Sequence, residues 1–402
     1  MLFADVIGQD ILKIKLLNML EQNRLSHALL FLGNEGSGAL PLAIAFASYV
    51  LLPKETKAEP AGLFGDAPSA PFTAPKNPQE ADAWMKQQPG FKKLEELIHP
   101  DFHFSYPVFK KEHIEKPKSA DFATEWRQFV KEQPYGNLYN WLQFIKAENK
   151  QGNISVEECN DIVRKMSLKS FESGMKVLLM WMPEALGKEG NKLLKLIEEP
   201  PPFTLFLLVA ENENKILPTI LSRTQLIRVP PLSASEIAQG LIDKGIAANP
   251  QHAELTASLA NGNFLEAINQ TGRQDIDREA NLRTWLNSIV QNKTEEQYKW
   301  IEQTAKLGRE DQKQLLQFFI HIIELAIRTE WIAPDPATAE RPDMEMAIRL
   351  NKLCGMAEKE AILNQLYEAI YYIERNANSK MLFHALTIKL YHIIRNKSLI
   401  LA

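Results

Sequence analysis

The chain has 402 residues, of which 45% are hydrophobic and 24% are charged, a composition typical of a soluble globular protein of two or three domains. Its formal net charge of -4 excludes a general attraction of the whole chain for a polyanion, so any binding of DNA would need a local basic patch or a partner. The two cysteines, Cys159 and Cys354, lie far apart, which argues against a disulfide framework and fits a reducing cytoplasm.

The first part of the chain alternates predicted helices with predicted strands. Residues 10–24 predict an amphipathic helix whose buried face carries Ile11, Ile14, Leu17 and Leu20. The next predicted elements, in chain order, are a strand at 27–33 that runs into a glycine turn, a helix at 39–52, an irregular Pro- and Ala-rich excursion at 52–79, a helical pattern at 80–98, and a turn that feeds a strand within 99–108.

The middle of the chain continues the alternation, and the last third is helical. After short helices within 109–150, the predicted elements are a helix at 155–170 that a capping box of Ser155 and Glu158 begins, a strand at 176–182, a helix at 190–199, a strand at 204–210, and a short helix, turn and last strand within 216–233. From residue 233 onward only helices are predicted. The alternation from 27 to 229 predicts a mostly parallel sheet that helices cover.

The N-terminus and the helical tail show whether the sequence predicts a signal peptide or a membrane-spanning helix. The first ten residues lack the basic and apolar pattern of a signal peptide. The most apolar later stretch, residues 315–333, is interrupted by His321, Glu324, Arg328 and Glu330. A bilayer tolerates such groups poorly, whereas a helical bundle accommodates them. We therefore expect a soluble, cytoplasmic protein with a buried helix in this stretch.

The segment LLFLGNEGSGAL, residues 29–40, carries Gly33, Gly36 and Gly38 at the spacing of a phosphate-binding loop. Such a loop needs a Lys for the terminal phosphates and a Ser or Thr for Mg²⁺, but this chain has Ala39 and Leu40 there. The charged contributions are therefore missing, although the helix N-terminus could still attract an anion weakly. From these residues alone, an ordinary strand–turn–helix and a degenerate phosphate site both remain open.

The end of the strand at 176–182 is the place where acidic residues would hold Mg²⁺ and polarise water. Met182 stands at the position of the metal-binding Asp, and Glu184 follows Pro183. A single carboxylate after a proline turn is interpreted as a solvated charge.

Five segments in order carry a resemblance to a known family: FADVIGQ, NRLSHALLFLGNEGSG, HPDFHF, KVLLMW and NKLLKLIEEPPPFTLFLLVAENENKILPTILSRTQ. The chain resembles AAA+ clamp-loader subunits over residues 3–52 and 99–272. The resemblance implies an α/β AAA+ fold, a P-loop-type parallel sheet covered by helices, with a small helical lid and a C-terminal all-α collar. The implied domains are a core at 1–230 with an irregular insertion at about 53–98, a lid at 231–275 and a collar at 276–402.

The resemblance also implies a function. Clamp loaders are pentameric machines that open a ring-shaped sliding clamp and place it on primed DNA, and some members keep the fold while losing their own nucleotide site. Such a member acts as a stator and offers an arginine to the ATP of a neighbouring subunit. In the turn Ser222-Arg223-Thr224, Arg223 is then the trans arginine finger, and Thr224 replaces the usual Cys. The alternative is that Arg223 is a surface arginine that caps a helix C-terminus.

A further ATP-contacting residue is missing in the turn Gly262-Asn263-Phe264-Leu265. Active members carry an arginine in the lid at the position of Leu265. The resemblance thus implies a loop (Gly33, Gly36, Gly38, Ala39, Leu40) that does not bind ATP productively. Relatives carry a four-cysteine zinc module between the loop helix and the HPD turn, but in this chain that interval contains no cysteine. His99 and His103 are therefore interpreted as turn and strand residues, and no metal is expected.

The implied partners are motor subunits of the gamma/tau type and a delta-type subunit, with the sliding clamp and primed DNA reached through the assembled complex and no membrane. Two competing functions remain open: an active AAA+ ATPase with a divergent loop, and an AAA+ adaptor outside replication. Two weaker sets of residues also keep two interpretations. Lys188, Lys192 and Lys195 either face DNA phosphates or form a solvated helix face, and Trp84, Trp126 and Trp141 are either interface anchors or core residues.

Overall fold

The computed structural model describes residues 1–22, 24–53, 74–110, 116–147, 152–247, 249–271, 278–331, 342–375 and 377–398. Most of the Pro- and Ala-rich segment, residues 54–73, lies outside the described residues. The chain divides into two compact units, Met1–Gly272 and Arg273–Ala402.

A parallel five-stranded sheet forms the centre of the first unit. Its strands are β1 (Ala28–Leu32), β2 (Phe102–Ser105), β3 (Lys176–Trp181), β4 (Thr204–Ala210) and β5 (Gln225–Arg228). The order across the sheet is β2-β3-β4-β1-β5, and every neighbouring pair is parallel. Every residue of β1, β3 and β4 is buried, which is why these strands read as continuous apolar runs in the sequence. The predicted fold class, a parallel α/β sheet covered by helices with all-helical parts after it, is confirmed.

Helices cover this sheet. In the part that precedes β5 they are α1 (Asp10–Glu21), α2 (Ala39–Leu51), α3 (Pro78–Gln87), α4 (Phe91–Glu95), α5 (Ala123–Glu132), α6 (Leu138–Phe144), α7 (Val156–Ser167), α8 (Leu194–Glu198) and α9 (Pro218–Leu221). Short 3₁₀ segments are Phe3–Asp5, Ser119–Phe122, Pro183–Leu193 and Glu213–Lys215. Three helices follow the sheet and share a small core of their own: α10 (Ala234–Asp243), α11 (Pro250–Leu259) and α12 (Phe264–Thr271). We call α10–α12 the lid.

The prediction for the buried face of α1 is correct for Leu17, which is buried, and wrong for Ile11 and Ile14. Ile11 is 87% exposed and Ile14 is 40% exposed, whereas Leu12 and Leu16 are buried. Apolar residues occupy more than one side of this helix, and packing against the core selects a side that the spacing does not identify. The buried side also carries Lys13, whose Nζ donates to the carbonyl oxygen of Val6 at 2.7 Å.

Aromatic side chains fill the core on one side of the sheet. Trp126 and Trp141 are buried, with ring centroids 5.4 Å apart in a T-shaped contact, and the Trp141 indole donates to the carbonyl of Pro107 at 2.7 Å. Trp84 packs against the same core but is only partly buried. Of the two interpretations left open for these tryptophans, core packing is the one observed for Trp126 and Trp141.

The second unit contains helices only among its described residues. They are α13 (Arg278–Val290), α14 (Thr294–Thr304), α15 (Arg309–Trp331), α16 (Pro342–Leu353), α17 (Met356–Glu374) and α18 (Ser379–Asn396). Trp285 stacks on Trp300 at 4.3 Å within their common core. The apolar stretch at 315–333 contributes most of α15, and Phe319 and Ile323 are buried there. Of the helices that the structure describes, none is both long enough and apolar enough to span a bilayer.

Candidate functional site

The glycine loop forms the predicted turn between β1 and α2. The N–H of Gly33 donates to the carbonyl of Ala210 in β4 at 3.1 Å, so the loop leaves the sheet beside the end of β4. Gly36 and Gly38 have φ values of +70° and +89°, in the left-handed region that favours glycine. Ala39 and Leu40 begin α2 and are buried. Two apolar side chains in the core therefore occupy the positions where a phosphate loop carries its Lys and its hydroxyl.

The lid contacts this loop directly. The N–H of Phe264 donates to the carbonyl of Gly36 at 3.1 Å, and Nδ2 of Asn263 donates to Oε1 of Glu35 at 3.3 Å. A Cβ on Gly36 would lie 1.8 Å from Oδ1 of Asn263, so no other residue fits at position 36 without moving the lid. The same Oδ1 accepts from the N–H of Glu266 at 3.1 Å and caps α12. Protein atoms thus fill the space next to Gly36.

Tyr135 packs against the same loop from a different part of the chain. Its hydroxyl accepts from the N–H of Ile7 at 2.8 Å, and its ring lies 4.9 Å from that of Phe264. A Cβ on Gly38 would lie 3.2 Å from a carbon of the Tyr135 ring. The loop is therefore enclosed by the N-terminal segment, by Tyr135 and by the lid.

Gln9 ties the loop to the start of the lid. Its Nε2 donates to the carbonyl of Ser37 at 3.1 Å and to that of Pro230 at 2.7 Å. Its own N–H donates to Oε1 of Glu236, in the first turn of α10, at 3.2 Å. The orientation of the lid next to the loop is therefore held by hydrogen bonds within the chain.

A small cavity remains beside the loop. Its volume is about 30 Å³, and its walls include Gly33, Gly38, Met182 and Glu211. Because one water needs about 10–15 Å³ on this scale, the cavity has room for about two waters. Met182 is buried in a left-handed conformation with φ +57°, and its N–H donates to the carbonyl of Val209 at 2.9 Å. The end of β3 therefore presents a thioether to the cavity where a metal site would need a carboxylate.

The charges around this cavity are negative. Burial, followed by the carboxylates of Glu35 and Glu184, raises the pKa of Glu211 to about 8. Glu184 accepts from the N–H of Glu211 at 2.7 Å and from the N–H of Asn212 at 2.9 Å. The interpretation of Glu184 as a solvated charge is wrong, because its carboxylate satisfies the backbone after β4. At neutral pH Glu211 is therefore mostly protonated, and the carboxylates of Glu35 and Glu184 are the charges that disfavour a phosphate group near the loop.

Arg223 lies at the C-terminal end of α9, and its side chain is 32% exposed. Its Nε and Nη2 both lie 3.1 Å from Oε2 of Glu198, and Nη1 donates to the carbonyl of Thr219 at 3.0 Å. The hydroxyl of Ser222 donates to the carbonyl of Thr219, and that of Thr224 donates to the carbonyl of Leu221, both at 3.2 Å. In the single chain Arg223 thus makes the helix-capping contact that the alternative interpretation expects. Its role towards a neighbouring subunit stays a prediction.

The comparisons with known proteins agree with the motifs. Residues 76–233 match the family described as "DNA polymerase III, delta subunit". The chain is 25% identical to "DNA polymerase III subunit delta'" of Bacillus subtilis, over 63% of this chain and 56% of that protein. It is similar to delta-prime subunits of bacterial DNA polymerase III. It is also 24% identical to the tau/gamma subunit of Haemophilus influenzae, over 60% of this chain and 25% of that protein.

A second delta-prime subunit matches a shorter part of the chain at higher sequence identity. The delta-prime subunit of Haemophilus influenzae is 37% identical over 75 residues, which are 18% of this chain and 23% of that protein. The chain therefore spans little more than half of the Bacillus subtilis delta-prime subunit, and smaller shares of the other two relatives. The similarity to delta-prime and tau/gamma subunits confirms the resemblance to clamp-loader subunits.

The two histidines of the HPD turn make local contacts. Nε2 of His99 lies 3.1 Å from Oε1 of Glu172, and its Nδ1 accepts from the N–H of Asp101 at 3.2 Å. His103 lies in β2, where burial, followed by the charge of Lys165, lowers its pKa to about 4. Within the described ranges, no group of three His, Cys, Asp or Glu side chains is arranged to hold a metal ion.

The lysines considered for DNA contact are only partly described. Lys195 is exposed, and Nζ of Lys192 lies 3.8 Å from Oε2 of Glu189. The side chain of Lys188 lies outside the described residues. A contact of this helix with DNA phosphates stays a prediction.

Sequence reasoning missed the residues that close the loop, namely Gln9, Tyr135, Glu211 and Asn263. A partial signal existed for Asn263, because an Asn directly before an apolar helical pattern is a preferred helix N-cap. Its contact with Gly36 had no local signal, because the two residues lie far apart in the sequence.

Proposed function

We propose that this chain is a non-catalytic clamp-loader subunit of DNA polymerase III, acting as a stator and supplying Arg223 as a trans arginine finger to a neighbouring ATPase subunit. It would do so while the complex places a sliding clamp on primed DNA. The similarity to delta-prime and tau/gamma subunits supports membership of such a complex. Its direct partners would be motor subunits of the gamma/tau type and a delta-type subunit.

The observation that carries the proposal is the closed glycine loop. Asn263 fills the space next to Gly36, and the remaining cavity of about 30 Å³ borders Glu211. Ala39 supplies no cation and Leu40 supplies no metal ligand. These features support a chain that neither binds ATP productively nor hydrolyses it by itself. No zinc is expected, since the interval that holds the zinc module in relatives has no cysteine.

The chemistry of Arg223 suits action in trans. A guanidinium beside a γ-phosphate stabilises the charge that develops in the transition state, and in well-studied systems this is worth about 10³–10⁵ in rate. In the single chain its partner is Glu198, whose side chain is more than half exposed. An exposed ion pair contributes only about 0–1 kcal/mol, so a phosphate can replace Glu198 at little cost.

The contacts of the lid support the stator role. The hydrogen bonds of Phe264, Asn263 and Gln9 hold the lid beside the loop through contacts within the chain. A subunit that keeps its shape through the ATP cycle can serve as a fixed surface against which the motor subunits move.

The test is reconstitution of the loader from purified subunits with the wild-type chain, with Arg223→Ala and with Arg223→Lys. We expect both variants to assemble, because Arg223 is a surface residue, and we expect ATP hydrolysis stimulated by clamp and DNA to fall at one interface. Lys should not restore it, since an ammonium cannot contact the phosphate in the bidentate way of a guanidinium.

Arg228→Ala is the matched control, because Arg228 is also an exposed arginine paired with a glutamate, Glu213, at 3.5 Å. It should leave hydrolysis unchanged. Hydrolysis that Arg223→Ala does not alter would overturn the assignment of the finger. Micromolar binding of MgATP by the isolated chain would instead favour an active ATPase with a divergent loop, and failure to join the other subunits would favour an adaptor outside replication.

A further inference from the structure

All three guanidinium nitrogens of Arg223 have a partner in their own chain. Nε and Nη2 both lie 3.1 Å from Oε2 of Glu198. Nη1 donates to the carbonyl of Thr219 at 3.0 Å and to the hydroxyl of Ser222 at 3.3 Å. A two-pronged contact with a phosphate uses N–H groups of two of these nitrogens. Arg223 therefore has to give up at least one of its present partners before it can bind a phosphate in this way.

Of these partners, Glu198 is the one that a phosphate displaces. The carboxylate and a phosphate carry like charges and compete for the same cation, whereas the carbonyl of Thr219 and the hydroxyl of Ser222 are neutral. The side chain of Glu198 is 56% exposed, so a released carboxylate is solvated by water. The exchange of Glu198 for a phosphate therefore leaves no buried charge without a partner.

The backbone on both sides of this ion pair is held by the core. Glu198 is the last residue of α8 and directly follows the buried Ile197. Arg223 comes shortly after Ile220 of α9, which packs in the same apolar cluster as Ile197. The carbonyl of Ile197 also lies 2.8 Å from Nε2 of His27. The exchange thus needs only the rotation of two side chains, which exposed residues complete within nanoseconds.

We propose that Glu198 is a positioning residue that keeps Arg223 against its own chain until a neighbouring subunit presents a γ-phosphate, which then takes the place of the carboxylate. The inference rests on the proposed function, because Arg223 meets such a phosphate only as a trans arginine finger. The carbonyl of Thr219 keeps its contact with Nη1 and limits how far the guanidinium moves. The pair with Glu198 prevails beside a subunit that holds ADP, and the contact with phosphate prevails beside one that holds ATP.

The size of the effect follows from the exposure of the ion pair. An exposed pair changes an equilibrium by at most about fivefold. Without the charge of Glu198, the phosphate no longer has to displace a carboxylate from Arg223. Glu198→Gln should therefore strengthen the contact with a γ-phosphate by about two- to fivefold.

The experiment measures the affinity of the full chain for a purified gamma/tau-type subunit in two nucleotide states. With MgADP and aluminium fluoride, which imitates the γ-phosphate in its transition state, Glu198→Gln should bind about two- to fivefold more tightly than the wild type. With MgADP alone the two chains should bind equally. Equal binding in both states, weaker binding with aluminium fluoride, or the same increase in both states would overturn the proposal.

Two further variants separate the contact from the charge. Glu199→Gln removes the same charge from the next residue, which is also exposed, and should leave binding unchanged in both states. An increase equal to that of Glu198→Gln would show that overall charge is responsible and would overturn the proposal. Glu198→Gln combined with Arg223→Ala should bind like Arg223→Ala alone, because Glu198 acts only through Arg223. Tighter binding by the double variant would contradict this.

Hydrolysis in the reconstituted loader gives a readout in which the sign decides. The kcat/KM for ATP, stimulated by clamp and DNA, should rise in Glu198→Gln by the same factor as the affinity. A carboxylate that holds Arg223 in its working orientation, or that only stabilises the fold, would instead lower kcat/KM when it is removed. A fall in kcat/KM would therefore overturn the proposal.

The two proposals fail in different ways. If Arg223→Ala lowers hydrolysis but Glu198→Gln changes neither binding nor kcat/KM, the role of Glu198 is wrong and the proposed function stands. If Arg223→Ala leaves hydrolysis unchanged, the arginine finger is wrong, and the role of Glu198 is wrong with it.

Discussion

The contact between Gly36 and Asn263 predicts the outcome of one pair of glycine substitutions. Gly36 and Gly174 have nearly the same left-handed φ, +70° and +72°. A Cβ at Gly36 meets Asn263, whereas a Cβ at Gly174 has no heavy atom within 4 Å. Gly36→Ala and Gly174→Ala therefore share the cost of the backbone conformation, about 1–2 kcal/mol, and differ in the contact with the lid.

The size of this difference follows from the hydrogen bonds that Gly36→Ala breaks. Moving Asn263 removes the cap of α12, worth about 1 kcal/mol. Moving Phe264 removes its hydrogen bond to the carbonyl of Gly36, worth about another 1 kcal/mol. The lid should therefore lose about 2 kcal/mol of local stability beyond the shared cost, which corresponds to about 30-fold faster local opening.

Hydrogen exchange followed by mass spectrometry measures this opening segment by segment. Peptides that cover residues 260–271 should exchange at least about 30-fold faster in Gly36→Ala, and both these and peptides that cover residues 33–40 should exchange at the wild-type rate in Gly174→Ala. Peptides that cover residues 33–40 should be accelerated further in Gly36→Ala, because the backbone cost of the substitution falls on that loop. Adding Asn263→Ala to Gly36→Ala should cause little further change, because both substitutions remove the same contact. Equal exchange of these peptides in Gly36→Ala and Gly174→Ala would refute the contact.

Three further predictions concern the cavity and the core. The pKa of Glu211 lies at about 8, above its ordinary value of 4.5, so the wild type loses stability as the pH rises between these values. The melting temperature of Glu211→Gln should exceed that of the wild type by a margin that grows over this range, and a constant margin would contradict the shift. Ala39→Lys with Leu40→Thr should not produce MgATP binding in calorimetry, because Asn263 and Glu211 remain; measurable binding would show that the two apolar residues alone prevent it. Trp141→Ala should lower the free energy of unfolding in urea by about 3–5 kcal/mol, whereas Trp331→Ala, at an exposed position, should leave it unchanged.

The strands and their order of occurrence could be predicted from the sequence because continuous apolar runs mark strands that are buried on both faces. The predicted runs at 27–33, 176–182 and 204–210 contain β1, β3 and β4. Prediction was poorer where contacts with distant parts of the chain determine which side of an element is buried. The side of α1 that faces the core is one such case, since apolar residues occupy more than one side of the helix.

The hydrogen-bond partners of some side chains also could not be predicted from the neighbouring sequence. The hydroxyl of Ser155 does accept from the N–H of Glu158 at 3.2 Å, as the predicted capping box requires. The carboxylate of Glu158, however, accepts from the N–H of Ser119 at 2.8 Å instead of returning to Ser155. The carboxylate of Glu184 likewise accepts hydrogen bonds from the backbone after β4. A single sequence shows which groups need hydrogen bonds, and only the fold shows which distant groups supply them.

Tyr135 has a consequence for how the chain folds during synthesis. Its hydroxyl accepts from an amide 128 residues earlier, and its ring packs against Phe264, much later in the chain. Contacts between such distant residues form late, because long loops must close before they are made. The glycine turn therefore cannot reach its final environment until residue 264 has left the ribosome.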